Sequence, residues 1–278
     1  MKRLLSIEIQ KLWQNRASRI LVLTYFILLS FIALLAAFKI TLFGIEFKIA
    51  EQGMFDYPYI WHFNTYVAAV FKFFLALVIV SMVANEYTYG TIKQNFIDGL
   101  SKREFITSKF ITVTAFALAS TIFVFILTLI LGYSFSSYTE ASIVFSDVFY
   151  IGAFFLKLVA FFSFCLFAGV LVRRSAFAIG FIFIWWVFEK IMSGLLWTSV
   201  KNREVSEAIL GLFPLESMSN LIKEPFTRFK FYKAIESQAT GAVPVRFYGV
   251  HWYEVLIAVF WTGFFVLMSY NILKKRDL

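Results

Sequence analysis

Two histidines, one cysteine and four prolines are all that this 278-residue chain has of three residue types that shape many catalytic and cross-linked folds. A lone Cys165 rules out an intrachain disulfide and leaves the redox compartment open. It lies inside a long apolar run, so packing is its expected role. His62 and His251 stand in separate segments with no cysteine or carboxylate at ligand spacing, and no His-Glu-x-x-His helix motif occurs, which argues against a metal site. Neither a Gly-x-Ser-x-Gly elbow nor a Gly-x-x-x-x-Gly-Lys-Ser/Thr phosphate loop is present. The chain is therefore expected to bind no cofactor and to have no catalytic residues. Acidic residues are also few, 17 against 26 Lys and Arg, for a net charge of +9. The basic residues sit beside the ends of apolar runs, where anionic lipid and membrane insertion account for them, so membrane lipid is the expected partner and nucleic acid is not.

What is present is hydrocarbon. The chain is 60% hydrophobic and 15% charged, with 37 Phe and a mean hydropathy of +0.78, which places it among polytopic membrane proteins. Six segments are long enough to cross a core that needs roughly 20 helical residues. They run at about Ile20–Phe38, Tyr66–Ala84, Phe110–Tyr133, Phe149–Val172, Ala176–Trp197 and Val255–Leu273. Glu189 and Lys190 interrupt the fifth, which predicts a short span followed by a re-entrant or interfacial piece. No repeat, Pro-rich linker or low-complexity tract divides the chain, so residues 1–278 are expected to form a single transmembrane domain. The fold class is all-α.

Lys and Arg resist translocation and set orientation. They cluster in the short connections at Lys93 to Lys109 and Arg173–Arg174, and at both ends, Lys2 to Arg19 and Lys274 to Arg276. The connection from Tyr133 to Asp147 has none. Both termini are therefore expected in the cytoplasm of a cell-membrane protein. The first span is too long for a signal-peptide core and is expected to stay. Before it, residues 1–18 place Leu5, Ile9, Leu12 and Trp13 on one helical face and Lys2, Arg3, Lys11, Gln14 and Asn15 largely on the other, the pattern of an interfacial amphipathic helix.

The most structured polar interval is Glu86 to Lys109. Ser101 and Glu104 have capping-box spacing, so a helix is predicted to start near Lys102 and continue into the third span. Gly90 and Gly99 permit sharp turns. Between them, Ile92, Phe96 and Ile97 share a face, and Lys93, Gln94 and Asp98 share another, enough for two turns of amphipathic helix. An ordinary loop that merely starts the next span is the plain alternative.

Glu86-x-x-x-Gly90-Thr91-Ile92, followed by Asp98-Gly99-Leu100-Ser101-Lys102-Arg103-Glu104 and Lys109, resembles the cytosolic signature of type-2 ABC transporter permeases. The whole layout is similar too. Many members have proline where Gly99 stands here. The resemblance implies a permease subunit without an ATPase of its own, with a coupling helix that docks on a cytosolic ABC ATPase subunit, which holds ATP and Mg²⁺. It also implies a second permease, as homodimer or related heterodimer, and export as the expected direction. Packing contacts with the ATPase are expected from Tyr89, Thr91, Phe96 and Ile97, and charged contacts from Lys93, Lys102 and Arg103. Glu86, Gly90, Gly99, Ser101 and Glu104 complete the expected ATPase-docking segment.

Charge inside a span is costly unless paired or hydrated. Lys72 is expected to snorkel outward. Lys157 and Glu189 lie at matching depth and are expected to form an ion pair or to line a polar vestibule for a substrate headgroup. Thr198 to Glu254 forms a long outer loop in which Ala208–Phe213 and Leu215–Ile222 flank Pro214, predicting two short helices of which an amphipathic segment rests on the outer leaflet. Tyr57, Tyr59, Trp61, Tyr248, Trp252 and Tyr253 fit an outer aromatic belt. Two other readings stay open at this point: a non-transporting scaffold that transmits force from an ATPase, and a polytopic enzyme using Glu189 or Asp147.

Overall fold

The structure is a computed structural model that describes residues 2–37, 39–42, 45–48, 54–200, 202–228, 232 and 247–276, without the side chains of residues 2, 32–48 and 203. Its elements are α1 (Lys2–Gln14), α2 (Arg16–Ala37), β1 (Lys39–Leu42), β2 (Ile45–Lys48), α3 (Tyr59–Thr88), α4 (Thr91–Ile97), α5 (Lys102–Phe135), α6 (Ala141–Val144), α7 (Phe149–Val172), α8 (Ser175–Ser199), α9 (Arg203–Leu210), α10 (Pro214–Asn220), a 3₁₀ turn (Phe226–Arg228) and α11 (Trp252–Lys274). Among the described residues, five helices, α3, α5, α7, α8 and α11, are long and apolar enough to cross a membrane. α2 covers the predicted first span except Phe38, which lies outside the described residues. The antiparallel β1–β2 hairpin, with Lys39 opposite Lys48, interrupts an otherwise helical fold and was not expected.

α7 is the axis of the bundle. It packs against α3, α5, α8, α10 and α11, and its buried residues cover every side of the helix, as an all-round apolar sequence requires. Small polar residues tie neighbours together where hydrocarbon offers water no access. Tyr25 on α2 shares a hydrogen bond with Ser120 on α5, and Asn64 on α3 donates to Thr128 Oγ1 on α5 at 3.1 Å. Cys165 is buried within this core.

Three expectations change. α8 is one continuous 25-residue helix through Glu189 and Lys190, because Glu189 turns inward onto protein groups and does not break the helix. Two short helices form between α8 and α11, but α9 covers only Ala208–Leu210 of the predicted Ala208–Phe213 stretch, and Pro214 opens α10 at its first turn, where a missing N–H costs nothing. α10 does not rest on a leaflet: Met218, Leu221 and Ile222 are buried in the main core. Tyr57 and Trp61 likewise leave the aromatic belt for the interior, where Trp61 Nε1 donates to the Val144 carbonyl at 2.6 Å. Tyr59, Trp252 and Tyr253 remain exposed.

Candidate functional site

The turn from α3 into α4 explains the Glu-x-x-x-Gly-Thr spacing. Gly90 adopts φ +70°, a left-handed conformation that ends α3, and its N–H donates to the Tyr87 carbonyl at 3.3 Å. Thr91 Oγ1 then reaches the Glu86 carbonyl at 3.4 Å, filling an acceptor that the helix end leaves open. α4 closes with a second glycine. Gly99 has φ +94°, its N–H donates to Phe96 O at 3.2 Å, and Leu100 N–H donates to Asn95 O at 3.0 Å, which together form a Schellman turn. Proline, fixed near φ −65°, cannot take this conformation, so the turn here depends on glycine. One residue later the predicted capping box is complete: Glu104 N–H donates to Ser101 Oγ at 3.2 Å and Ser101 N–H donates to Glu104 Oε2 at 2.9 Å. α5 starts at Lys102 and runs unbroken to Phe135.

Behind α4 lies a buried charge cluster. Lys109 Nζ, fully buried, donates to Glu8 Oε2 at 2.5 Å and to Glu86 Oε1 at 2.6 Å. Lys11 Nζ donates to Glu86 Oε1 at 3.2 Å and lies 3.5 Å from Glu8. Glu86 Oε2 also accepts from Asn95 Nδ2 at 2.8 Å and from Thr91 Oγ1 at 3.3 Å. Two carboxylates thus face two ammonium groups, and the cluster is neutral. Burial pulls the Lys11 ammonium down, the Glu86 and Glu8 carboxylates raise it, and the net shift is upward, so Lys11 stays charged through neutral pH. One carboxylate, Glu86, joins α1, α3, α4 and the root of α5.

This arrangement sorts the predicted contact residues. Tyr89, 74% exposed, and Ile97, 79% exposed, point away from the bundle, and Lys93, Gly99, Ser101, Arg103 and Glu104 are exposed, whereas Thr91, although exposed, turns its hydroxyl back onto Glu86. Glu86 is buried and is a positioning residue, because the cluster consumes both its oxygens. Phe96 turns inward, edge-on to Phe105 with ring centroids 5.7 Å apart. Ile92 is also buried, so α4 sits on the bundle by Ile92 and Phe96 and presents Lys93 and Ile97 outward. Lys102 is used internally, donating to the carbonyls of Lys274 and Arg276 at 3.3 and 2.8 Å.

Glu8, Lys11 and Asn95 were missed as members of this site. α1 buries Glu8 and Leu12 and exposes Ile9 and Trp13, so its inward stripe is rotated from the one the apolar pattern predicts. The available signal was Glu8 itself, a single acid among the basic residues of α1.

Lys157 and Glu189 do not pair with each other. Glu189 Oε1 accepts from the Leu215 N–H at 3.0 Å and from Trp185 Nε1 at 2.7 Å, while Oε2 accepts from the Glu216 N–H at 3.0 Å. Lys157 Nζ donates to the carbonyls of Ser219 and Ile222 at 3.2 and 3.3 Å. The carboxylate holds the start of α10 and the ammonium holds its end, each against the matching pole of the helix dipole. The backbone groups of α10 come between the two side chains. Near the same end of the bundle, Arg228 NH1 donates to His62 Nδ1 at 3.0 Å and His62 Nε2 donates to the Lys223 carbonyl at 2.8 Å. Arg228 also lies 3.7 Å from Asp147. Both side chains thus hold the connection between α10 and α11 in place.

Comparison with curated proteins gave no match. A family model described as ABC-2 family transporter protein matches residues 8–278. The chain is a multi-pass membrane protein that belongs to this family of ABC-2 transporter permeases, whose members are transport components and not themselves catalytic.

Proposed function

We propose that the chain is the permease subunit of an ABC exporter in the cell membrane, with α2 as a sixth span, both termini cytoplasmic, and α4 as the coupling helix. α4 docks in a cleft on a separate ABC ATPase subunit that binds ATP and Mg²⁺. A second copy or a related permease completes the translocation path. The observation that carries this reading is the combination at α4: an exposed face of Tyr89, Lys93 and Ile97 on a helix whose back is fastened to three other helices through Glu86. A docking element must be accessible in front and stiff behind. Without the second property, motion of the ATPase would bend α4 and leave the spans in place. Glu86 transmits displacement of α4 to α1 and α3 directly and to α5 through Lys109.

The test is copurification with the ATPase and measurement of ATP turnover in proteoliposomes. Ile97→Asp and Tyr89→Ala should weaken assembly while leaving the permease folded. Glu86→Gln should retain assembly and lose stimulated turnover. Full assembly and turnover in the Ile97→Asp and Tyr89→Ala variants would overturn the docking role of α4. ATP hydrolysis with no net movement of any candidate substrate would favour the force-transmitting scaffold instead of the exporter.

A further inference from the structure

A groove of about 750 Å³ runs between α3, α7, α8 and α10. That volume is within the range of sites that enclose small ligands. Along α8 its lining passes from Ala176 to Lys190, roughly 21 Å at the helical rise. The Ala176 end is apolar, continuing through Ile179 and Phe183, and the other end is charged.

The charges at that end are Lys72, Glu189, Lys190 and Glu216. Three of them have partners. Glu189 accepts from the start of α10, and Lys190 Nζ donates to Glu216 Oε2 at 3.0 Å. Lys72 has no hydrogen-bond or ion-pair partner among the described residues. Its ammonium lies 4.4 Å from the centre of the Phe161 ring, and the residue forms part of the groove lining. The neighbouring cation Lys157 is occupied by carbonyls and supplies no counter-charge. A ring face offsets only part of the desolvation of an ammonium in a membrane interior. An anion inside the groove would supply the rest.

From the unpaired Lys72 at the head of an apolar groove, we infer that this groove binds an anionic phospholipid drawn from the bilayer, its phosphate against Lys72 and an acyl chain along α8 toward Ala176. Trp186 and Phe183 wall the chain, and Ser219 adds a polar group beside the headgroup position. The inference depends on the chain lying in a bilayer and not on the transport reading.

The test uses full-length protein in phosphatidylcholine nanodiscs containing a few per cent of phosphatidylglycerol with a photoactivatable acyl chain. Parallel discs carry the same photoactivatable chain on phosphatidylcholine. Labelling of the α8 segment 176–190 should be about tenfold stronger with phosphatidylglycerol, the ratio expected of one charge-assisted contact. Lys72→Met should remove the difference and Lys72→Arg should keep it. Ile179→Trp, which narrows the groove without altering charge, should reduce labelling by both probes. Equal labelling by the two headgroups would overturn the inference. The headgroup comparison is made on unaltered protein and decides even where Lys72→Met fails to fold. Disulfide-linked dimers of Phe183→Cys with an unlabelled α8 would show that a second copy fills the groove, and would also overturn it. Labelling as expected without ATPase assembly would sustain the lipid site while removing the exporter reading.

Discussion

Replacing Lys109 by methionine probes the charge cluster most directly. Methionine keeps much of the side-chain volume and removes the ammonium that Glu8 and Glu86 share at 2.5 and 2.6 Å. The two carboxylates then keep Lys11 as their remaining ammonium, whose side chain is 44% exposed and whose contacts are longer, at 3.5 and 3.2 Å. Removing one partner of a buried ion pair costs about 3–5 kcal/mol, because the remaining charge stays desolvated. For a chain of this size, at roughly 2 °C per kcal/mol, the apparent melting temperature should fall by about 6–10 °C. Tryptophan fluorescence during heating in detergent reads the change. Adding Glu8→Gln to Lys109→Met restores charge balance, leaving Glu86 with Lys11, and should recover about half of the loss. The reasoning fails if Lys109→Met melts within about 2 °C of the parent protein, or if the Glu8→Gln and Lys109→Met losses simply add.

Gly90→Ala should destabilise by about 1–2 kcal/mol through the left-handed backbone alone, since an added Cβ meets no atom within 4 Å. Gly90→Asn should lose less, and comparative melting orders the two. Ser101→Ala removes one half of the capping box and should cost about 1 kcal/mol. It should also speed amide hydrogen exchange in the first turn of α5, and Ser101→Thr should preserve protection. Glu189→Leu leaves the N–H groups of Leu215 and Glu216 without their acceptor. It should cost about 1–3 kcal/mol and raise exchange across Leu215–Asn220, with little change at α4.

Several features were legible because they depend on local chemistry. Transfer of apolar side chains to hydrocarbon is close to additive along a helix, so the runs at Phe149–Val172 and Tyr66–Ala84 located α7 and the middle of α3. The capping box at Ser101 and Glu104 involves residues three apart and needs no tertiary partner. Gly90 and Gly99 mark turns because left-handed backbone is inexpensive only for glycine. Other features were illegible because they depend on which segments meet. Matching depth made Lys157 and Glu189 look like a pair, yet α10 enters the bundle and offers each a pole of its own backbone. The apolar stripe of α1 suggested a simple interfacial face, yet docking against α5 turns Glu8 inward.

Residue order by itself determined a helical membrane chain, its main apolar spans, and the glycine-bounded segment between α3 and α5, because hydrophobic length and backbone conformational preference act within one stretch of chain. Tertiary structure alone decided that Glu86 and Phe96 face inward while Tyr89, Lys93 and Ile97 face out, and that Lys109 binds two distant carboxylates. A buried charge takes whatever partner packing brings within about 3 Å, and sequence spacing does not encode that distance.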